Sequence, residues 1–327
     1  MDNSGQLTFS DDPLLNGINE IYQLLEDGSF GAAIEKIDAL MDIDPDYPGL
    51  IECYRTGKFW HSRDRELKGL GRGKESADFL MEQWNVFEDY SAEKNIRQFT
   101  AYRSAMRYVF FRAADHYKVA FSENQDTSNN FNLLLNLGDC FLRLEEYKHA
   151  IETLEFAKSS YKSSARLLSI LGESYYHSDD IPKSLLHFRE AFCADPSEIN
   201  LDLIKAKPIL EIIDKIRQRR GNTGDIREWI PVFGFIGDIF YVRRNLSKHQ
   251  VQNIEREVYT LELAYQKMSH DQLESSNVLP RLMTKYLLLR DYYEFQNYSL
   301  DTLVQIRDRL LEINRGLFQD FLNSKKL

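Results

Sequence analysis

The sequence has few of the residues that staple, break or anchor a chain. Its three cysteines, Cys53, Cys140 and Cys193, are odd in number and have no close pair, which argues against a disulfide framework and for small, buried free thiols. Neither Cys-x-x-Cys nor His-Glu-x-x-His occurs, so a metal site has no local support and none is expected. No Gly-x-Ser-x-Gly elbow is present. The stretch Gly69-Leu70-Gly71-Arg72-Gly73-Lys74 fails as a phosphate loop, because Lys68 stands where the first glycine belongs and Glu75 where a magnesium-binding hydroxyl belongs. Catalytic residues and cofactors are therefore expected to be absent, and the chain is not expected to be an enzyme. No window reaches the roughly 18 apolar residues of a membrane span. The start, with Asp2, Asp11 and Asp12, lacks the basic opening and apolar run of a signal peptide. The expectation is a cytoplasmic protein with no transmembrane segment.

Basic charge is scarce at one end. The first 52 residues hold 12 acidic side chains and one basic one, Lys36, and residues 1–199 carry net −13 against +3 for 200–327. Phosphate would be repelled by the first half, so no nucleic-acid partner is expected.

Proline (8) and glycine (16) are sparse over 327 residues, and strand signals are few, which favours an all-helical chain. Two segments share a pattern 34 residues apart. From 131 it runs Leu134, Leu137-Gly138, Phe141, Ala150, Leu154 and Ala157; from 165 it runs Leu168, Leu171-Gly172, Tyr175, Ser184, Phe188, Ala191 and Pro196. Each unit predicts two helices joined by a tight turn.

This pattern resembles the tetratricopeptide repeat, on Leu137, Gly138, Ala150, Leu171, Gly172, Ser184, Ala191 and Pro196 above all. A weaker copy spans 14–47, with Gly17, Glu20 and Ile21 where the family has a large residue, Leu and Gly. The resemblance implies an all-α, right-handed solenoid of helical hairpins. Its expected limits are a flexible arm at 1–13, a solenoid over 14–220 that is irregular at 48–130 and regular at 131–198, a capping helix at 198–219, and a helical extension at 225–327. It further implies a non-enzymatic adaptor that holds a protein or peptide in a concave groove. By register that groove is lined by Asn132, Leu135, Asn136, Asp139, Leu142, Arg166, Ser169, Ile170, Glu173, Tyr176 and His177. Asn136 and Arg166 match two places of the family's carboxylate-binding members, but Ile170 replaces a basic residue there, so a mixed polar and apolar peptide is the expected ligand.

Other readings stay open. The apolar segment 229–242 reads as a buried connector; alternatively that segment and the C-terminal helices near 247–268, 277–296 and 299–322 dock the chain permanently onto a larger complex or a membrane-associated machine. An unrecognised C-terminal active site is the third reading. The cluster Lys215, Arg217, Arg219, Arg220, Arg243, Arg244 and Lys248 reads as helix-end charge or as contact with an acidic surface. The residues do not determine the oligomeric state.

Overall fold

A computed structural model describes residues 13–123, 129–161, 163–221, 224–241, 246–296 and 300–324, with side chains to 319. The expected arm at 1–13, save Pro13, lies outside these residues, as do Arg243 and Arg244 of the basic cluster. The described residues form sixteen α-helices and no strand.

The chain divides into two units, 1–157 and 158–327, the division falling inside the second helix of the repeat at 131–164. The first unit holds α1 (Pro13–Glu26), α2 (Phe30–Met41), α3 (Leu50–Leu70), α4 (Lys74–Glu93), α5 (Thr100–Glu123), α6 (Asn130–Arg143) and most of α7 (Tyr147–Ser160). The second holds α8 (Ala165–His177), α9 (Ile181–Ala194), α10 (Lys207–Arg220), α11 (Ile226–Ile236), α12 (Lys248–Lys267), α13 (His270–Ser275), α14 (Val278–Phe295), α15 (Leu300–Ile313) and α16 (Arg315–Ser324).

Five helices end in one way. After α1, α4, α6, α8 and α11 a single residue turns left-handed: Gly28 (φ 77°), Asn95 (56°), Glu145 (63°), Asp179 (60°) and Asp238 (55°). The next amide reaches five residues back into the helix, as Ser29 N–H to Leu24 O (2.8 Å), Ile96 to Ser91 (2.8 Å), Glu146 to Phe141 (2.9 Å), Asp180 to Tyr175 (3.0 Å) and Ile239 to Gly234 (2.9 Å). This satisfies carbonyls that the helix end would otherwise leave without a partner.

Inside the two regular hairpins the helices cross where a Cβ is missing. A Cβ on Gly138 would lie 2.5 Å from Leu154 Cγ, and one on Gly172 would lie 2.9 Å from Phe188 Cγ. Leu154 and Phe188 occupy the same repeat position, so the two crossings are equivalent. A further match is the side chain stacked beside the turn, where His149 meets Phe141 at 5.4 Å and Lys183 sits 5.0 Å over Tyr175.

In the first unit α5 packs against α1, α3, α4 and α6, so its helices gather around one core. Aromatic side chains fill much of this core. Trp60, Trp84, Phe87 and Phe110 are fully buried, Trp84 and Phe110 meeting edge-on at 5.1 Å. Helix α3 runs to Leu70, which shortens the expected glycine-rich stretch to residues 71–73. Gly71 and Gly73 take positive φ, Ser76 Oγ donates to Gly71 O (2.6 Å), and Gly73 N–H donates to His116 Nδ1 (3.3 Å). Burial lowers the His116 pKa, helped by Arg112 and Arg72.

Two elements of the second unit correct the sequence reading. The expected helix at 198–219 begins only at Lys207; before it stand two 3-10 turns, Pro196–Glu198 and Leu201–Leu203, because Asp195 and Asn200 side chains cap them. The expected helix at 299–322 is two helices, because Asn314 Oδ1 accepts from Leu317 N (3.0 Å) and starts α16. The apolar connector is the helix α11, buried along most of its length. In the basic cluster, Arg220 pairs with Glu274 (2.7 Å) and lies 3.7 Å over the Trp229 ring.

Two outcomes test this packing. Gly138→Ala lowers stability by about 1–2 kcal/mol net of helix propensity, and Leu154→Ala by about 2–5 kcal/mol; the double variant loses less than their sum by at least about 0.5 kcal/mol in denaturant unfolding. Additive losses would mean that the two positions do not touch. Glu145→Gly raises stability by about 0.5–1 kcal/mol, since a Cβ in the left-handed region costs about 1–2 kcal/mol and glycine's added entropy loss takes back part of that.

Candidate functional site

Six of the eleven groove positions inferred from register are buried: Leu135, Asp139, Leu142, Ser169, Ile170 and Glu173. Asn132 is exposed, and Asn136, Arg166, Tyr176 and His177 are half-buried. The expectation of an open face along α6 and α8 is corrected accordingly, for a different reason in each unit.

On α6 the cover is α5. Asn136 Nδ2 donates to Tyr117 Oη (3.2 Å), which donates to Asp78 Oδ1 (2.9 Å). Burial and the Asp78 carboxylate push the Tyr117 pKa up. Asp139 accepts from Arg143 Nε (3.0 Å), and that guanidinium lies 4.7 Å over the Phe110 ring.

On α8 the cover is the chain's own downstream segment. Glu173, 2% exposed, accepts from the amides of Lys205 (2.8 Å) and Ala206 (3.2 Å) and meets His177 Nε2 at 3.0 Å. Glu198 Oε2 accepts from the amides of Ala165 (2.9 Å) and Arg166 (3.3 Å) at the start of α8. Residues 198–206 thus form a strap tied at both ends of the helix. Burial raises the Glu173 pKa, and the two amides and His177 offset this only in part. Asp139–Arg143 and Glu173–His177 stand at the same repeat positions, so each regular repeat carries a buried acid paired one turn on with a basic side chain. His187 is buried as well, donating Nδ1–H to Lys183 O (2.7 Å) and stacking on Tyr175 at 5.2 Å.

The second unit has a concavity that the repeat register did not single out. A cavity of about 400 Å³ lies at the C-terminal end of α9, lined by Phe192 to Pro196, by Glu228 and Pro231 of α11, by Arg256, Glu257, Thr260 and Leu261 of α12, and by Arg281, Thr284 and Lys285 of α14. Its lining mixes apolar side chains such as Phe192 and Pro231 with charged ones. Arg281 holds the buried Glu228 through two bonds, Nε to Oε2 at 2.8 Å among them, and Lys285 pairs with Glu257 (2.6 Å). Asp195 accepts from Ser197 Oγ (2.6 Å) and N–H (3.0 Å), which with Arg281 and Arg227 hold its carboxyl below the ordinary value. Glu228 raises the Arg281 pKa, and burial pushes the Cys193 thiol up to about 11. These shifts favour the charged forms of Asp195 and Arg281 and the neutral thiol of Cys193. Arg281 and Lys285 sit one turn apart, a spacing visible in the sequence, but their partners lie 53 and 28 residues away and carry no local signal.

Among the described residues no group of three or more His, Cys, Asp or Glu side chains is placed to hold a metal ion, and no helix is long and apolar enough to cross a membrane. Comparison with protein-family models, curated proteins and solved structures finds no match to this chain.

Replacing Glu173 by Ala frees the strap. Hydrogen exchange at the Lys205 and Ala206 amides then accelerates roughly tenfold or more, since a bond to a charged acceptor contributes about 1.5–3 kcal/mol. Unchanged protection would show that the strap is held by other contacts.

Proposed function

We propose that the chain is a non-enzymatic adaptor, built on tetratricopeptide-like helical hairpins, that binds a protein or peptide partner. The observation that carries this reading is the equivalence of the Gly138–Leu154 and Gly172–Phe188 crossings, joined to the same left-handed turn at Glu145 and Asp179. A repeated hairpin of this kind gives a rigid receptor, so little ordering entropy is lost when a partner segment binds. The charge-paired lining of the α9–α14 cavity suits the same role. The accessible surface lies there and at the half-buried edge of α8, Arg166, Tyr176 and His177, and not along a continuous inner groove.

Affinity capture from a lysate with quantitative mass spectrometry tests the reading, the variants being Tyr176→Ala and Cys193→Trp, the latter filling the cavity. A stoichiometric protein partner is recovered with wild type and lost with at least one variant whose melting temperature is unchanged. Recovery of the chain without a stoichiometric partner, or turnover of a small molecule in the cavity, would overturn it.

A further inference from the structure

Helix α12 is twenty residues long, about 30 Å, yet Val251 is its one buried side chain. Its three carboxylates each bond a side chain of a neighbouring helix, although Glu255 and Glu257 remain exposed. Glu255 accepts from Tyr293 Oη (2.6 Å), Glu257 pairs with Lys285 (2.6 Å), and Glu262 accepts from Tyr286 Oη (2.7 Å) and from Arg309 (2.6 Å). Its cations Lys248, Arg256 and Lys267 have no carboxylate within ion-pair range among the described residues; the Arg256 guanidinium reaches only Asn253 Oδ1, at 3.5 Å. These three side chains fall on one face together with Tyr259, 67% exposed, and Leu263, 41% exposed. The spacing 248, 256, 259, 263, 267 keeps to one helical stripe. Arg256 also lines the cavity, so the stripe and the concavity are continuous.

The separation of charge is the informative feature. Acids paired to neighbouring helices and bases without a carboxylate partner among the described residues leave a stripe with three positive charges around a Tyr and a Leu. We propose that this face of α12, with the adjoining cavity, is a docking site for an acidic peptide segment of a partner protein that carries apolar anchors about one helical turn apart. The proposal rests on the adaptor reading and names the chemistry of the partner. Tyr and Arg are the side chains that most often dominate such contacts. Nucleic acid and membrane fit less well: duplex binding engages about 6–10 phosphates, anionic lipid attracts clusters of about 4–8 basic residues, and this stripe has three, spread along the helix.

The test uses the full chain and two fluorescein-labelled peptides with Leu and Phe one turn apart, differing only in Glu or Lys at every other position. By anisotropy the Glu peptide binds, more weakly as salt rises, and the Lys peptide does not. Arg256→Glu weakens binding of the Glu peptide by roughly tenfold or more and admits the Lys peptide, the sign of a charge contact. Tyr259→Ala weakens binding with no change in circular dichroism, because the side chain is exposed. The proposal is overturned if the Glu peptide fails to bind, if Arg256→Glu leaves its affinity unchanged, or if a single-stranded oligonucleotide or phosphatidylserine vesicles bind the wild type more tightly than the peptide does. A partner captured from lysate that is indifferent to Arg256 would remove this site and leave the adaptor reading standing.

Discussion

Two helices joined by a three-residue turn can pack closely only if the chain reverses without leaving its helix-end carbonyls bare and if some point along the crossing has no Cβ. Residues 145 and 179 meet the first demand by turning left-handed; Gly138 and Gly172 meet the second. The residue after each glycine then has a fixed direction. Asp139 and Glu173 are pointed inward by the same crossing, and each becomes a buried carboxylate that must find partners or be neutralised. One finds Arg143. The other finds His177 and two backbone amides of the strap. The packing of the hairpin thus creates the buried carboxylate that the strap on α8 satisfies.

Buried charge organises the rest of the second unit in the same way. Arg189, 6% exposed, pairs with Asp291 (2.6 Å), donates to Phe240 O (3.3 Å) and lies 4.9 Å over the Phe235 ring. Glu228, 1% exposed, is held by Arg281. Such pairs add little net stability, because desolvation offsets most of the attraction, but removing one member leaves an uncompensated charge at a cost of about 3–5 kcal/mol. They act as registration points between α9, α11 and α14. The cavity at the end of α9 is the space these pairings leave.

What could be read from the sequence was whatever the short-range pattern encodes. The all-helical class, the hairpins at 131–161 and 165–194, and the helices that became α12 and α14 follow from periodicity and small residues. Inner-face positions such as Ile170 and Glu173 were placed on the correct helix but given the wrong environment, because register says which way a side chain points and not what lies in front of it. The strap is 32 residues downstream of Glu173 in sequence, in a segment that reads as helix until Asn200 caps a short turn. The break at Asn314 was legible as a capping residue and was masked by the apolar residues on both sides. The cavity depends on ion pairs between residues 28 to 53 positions apart, a range at which a single sequence gives no pairing rule.

The strap also bears on where a partner can bind. A segment of the same chain competes for the inner face of α8 at an effective concentration of about millimolar or more, with no translational entropy left to lose. A free peptide making the same two amide contacts to Glu173 would have to overcome that advantage and would gain nothing new. Helix α12 presents the opposite situation. Its carboxylates are satisfied by α14 and α15, and its cations Lys248, Arg256 and Lys267 have no carboxylate within ion-pair range among the described residues. On the proposed adaptor reading, a surface already occupied by its own chain is a poorer place for a partner than the α12 stripe, whose cations have no carboxylate partner among the described residues.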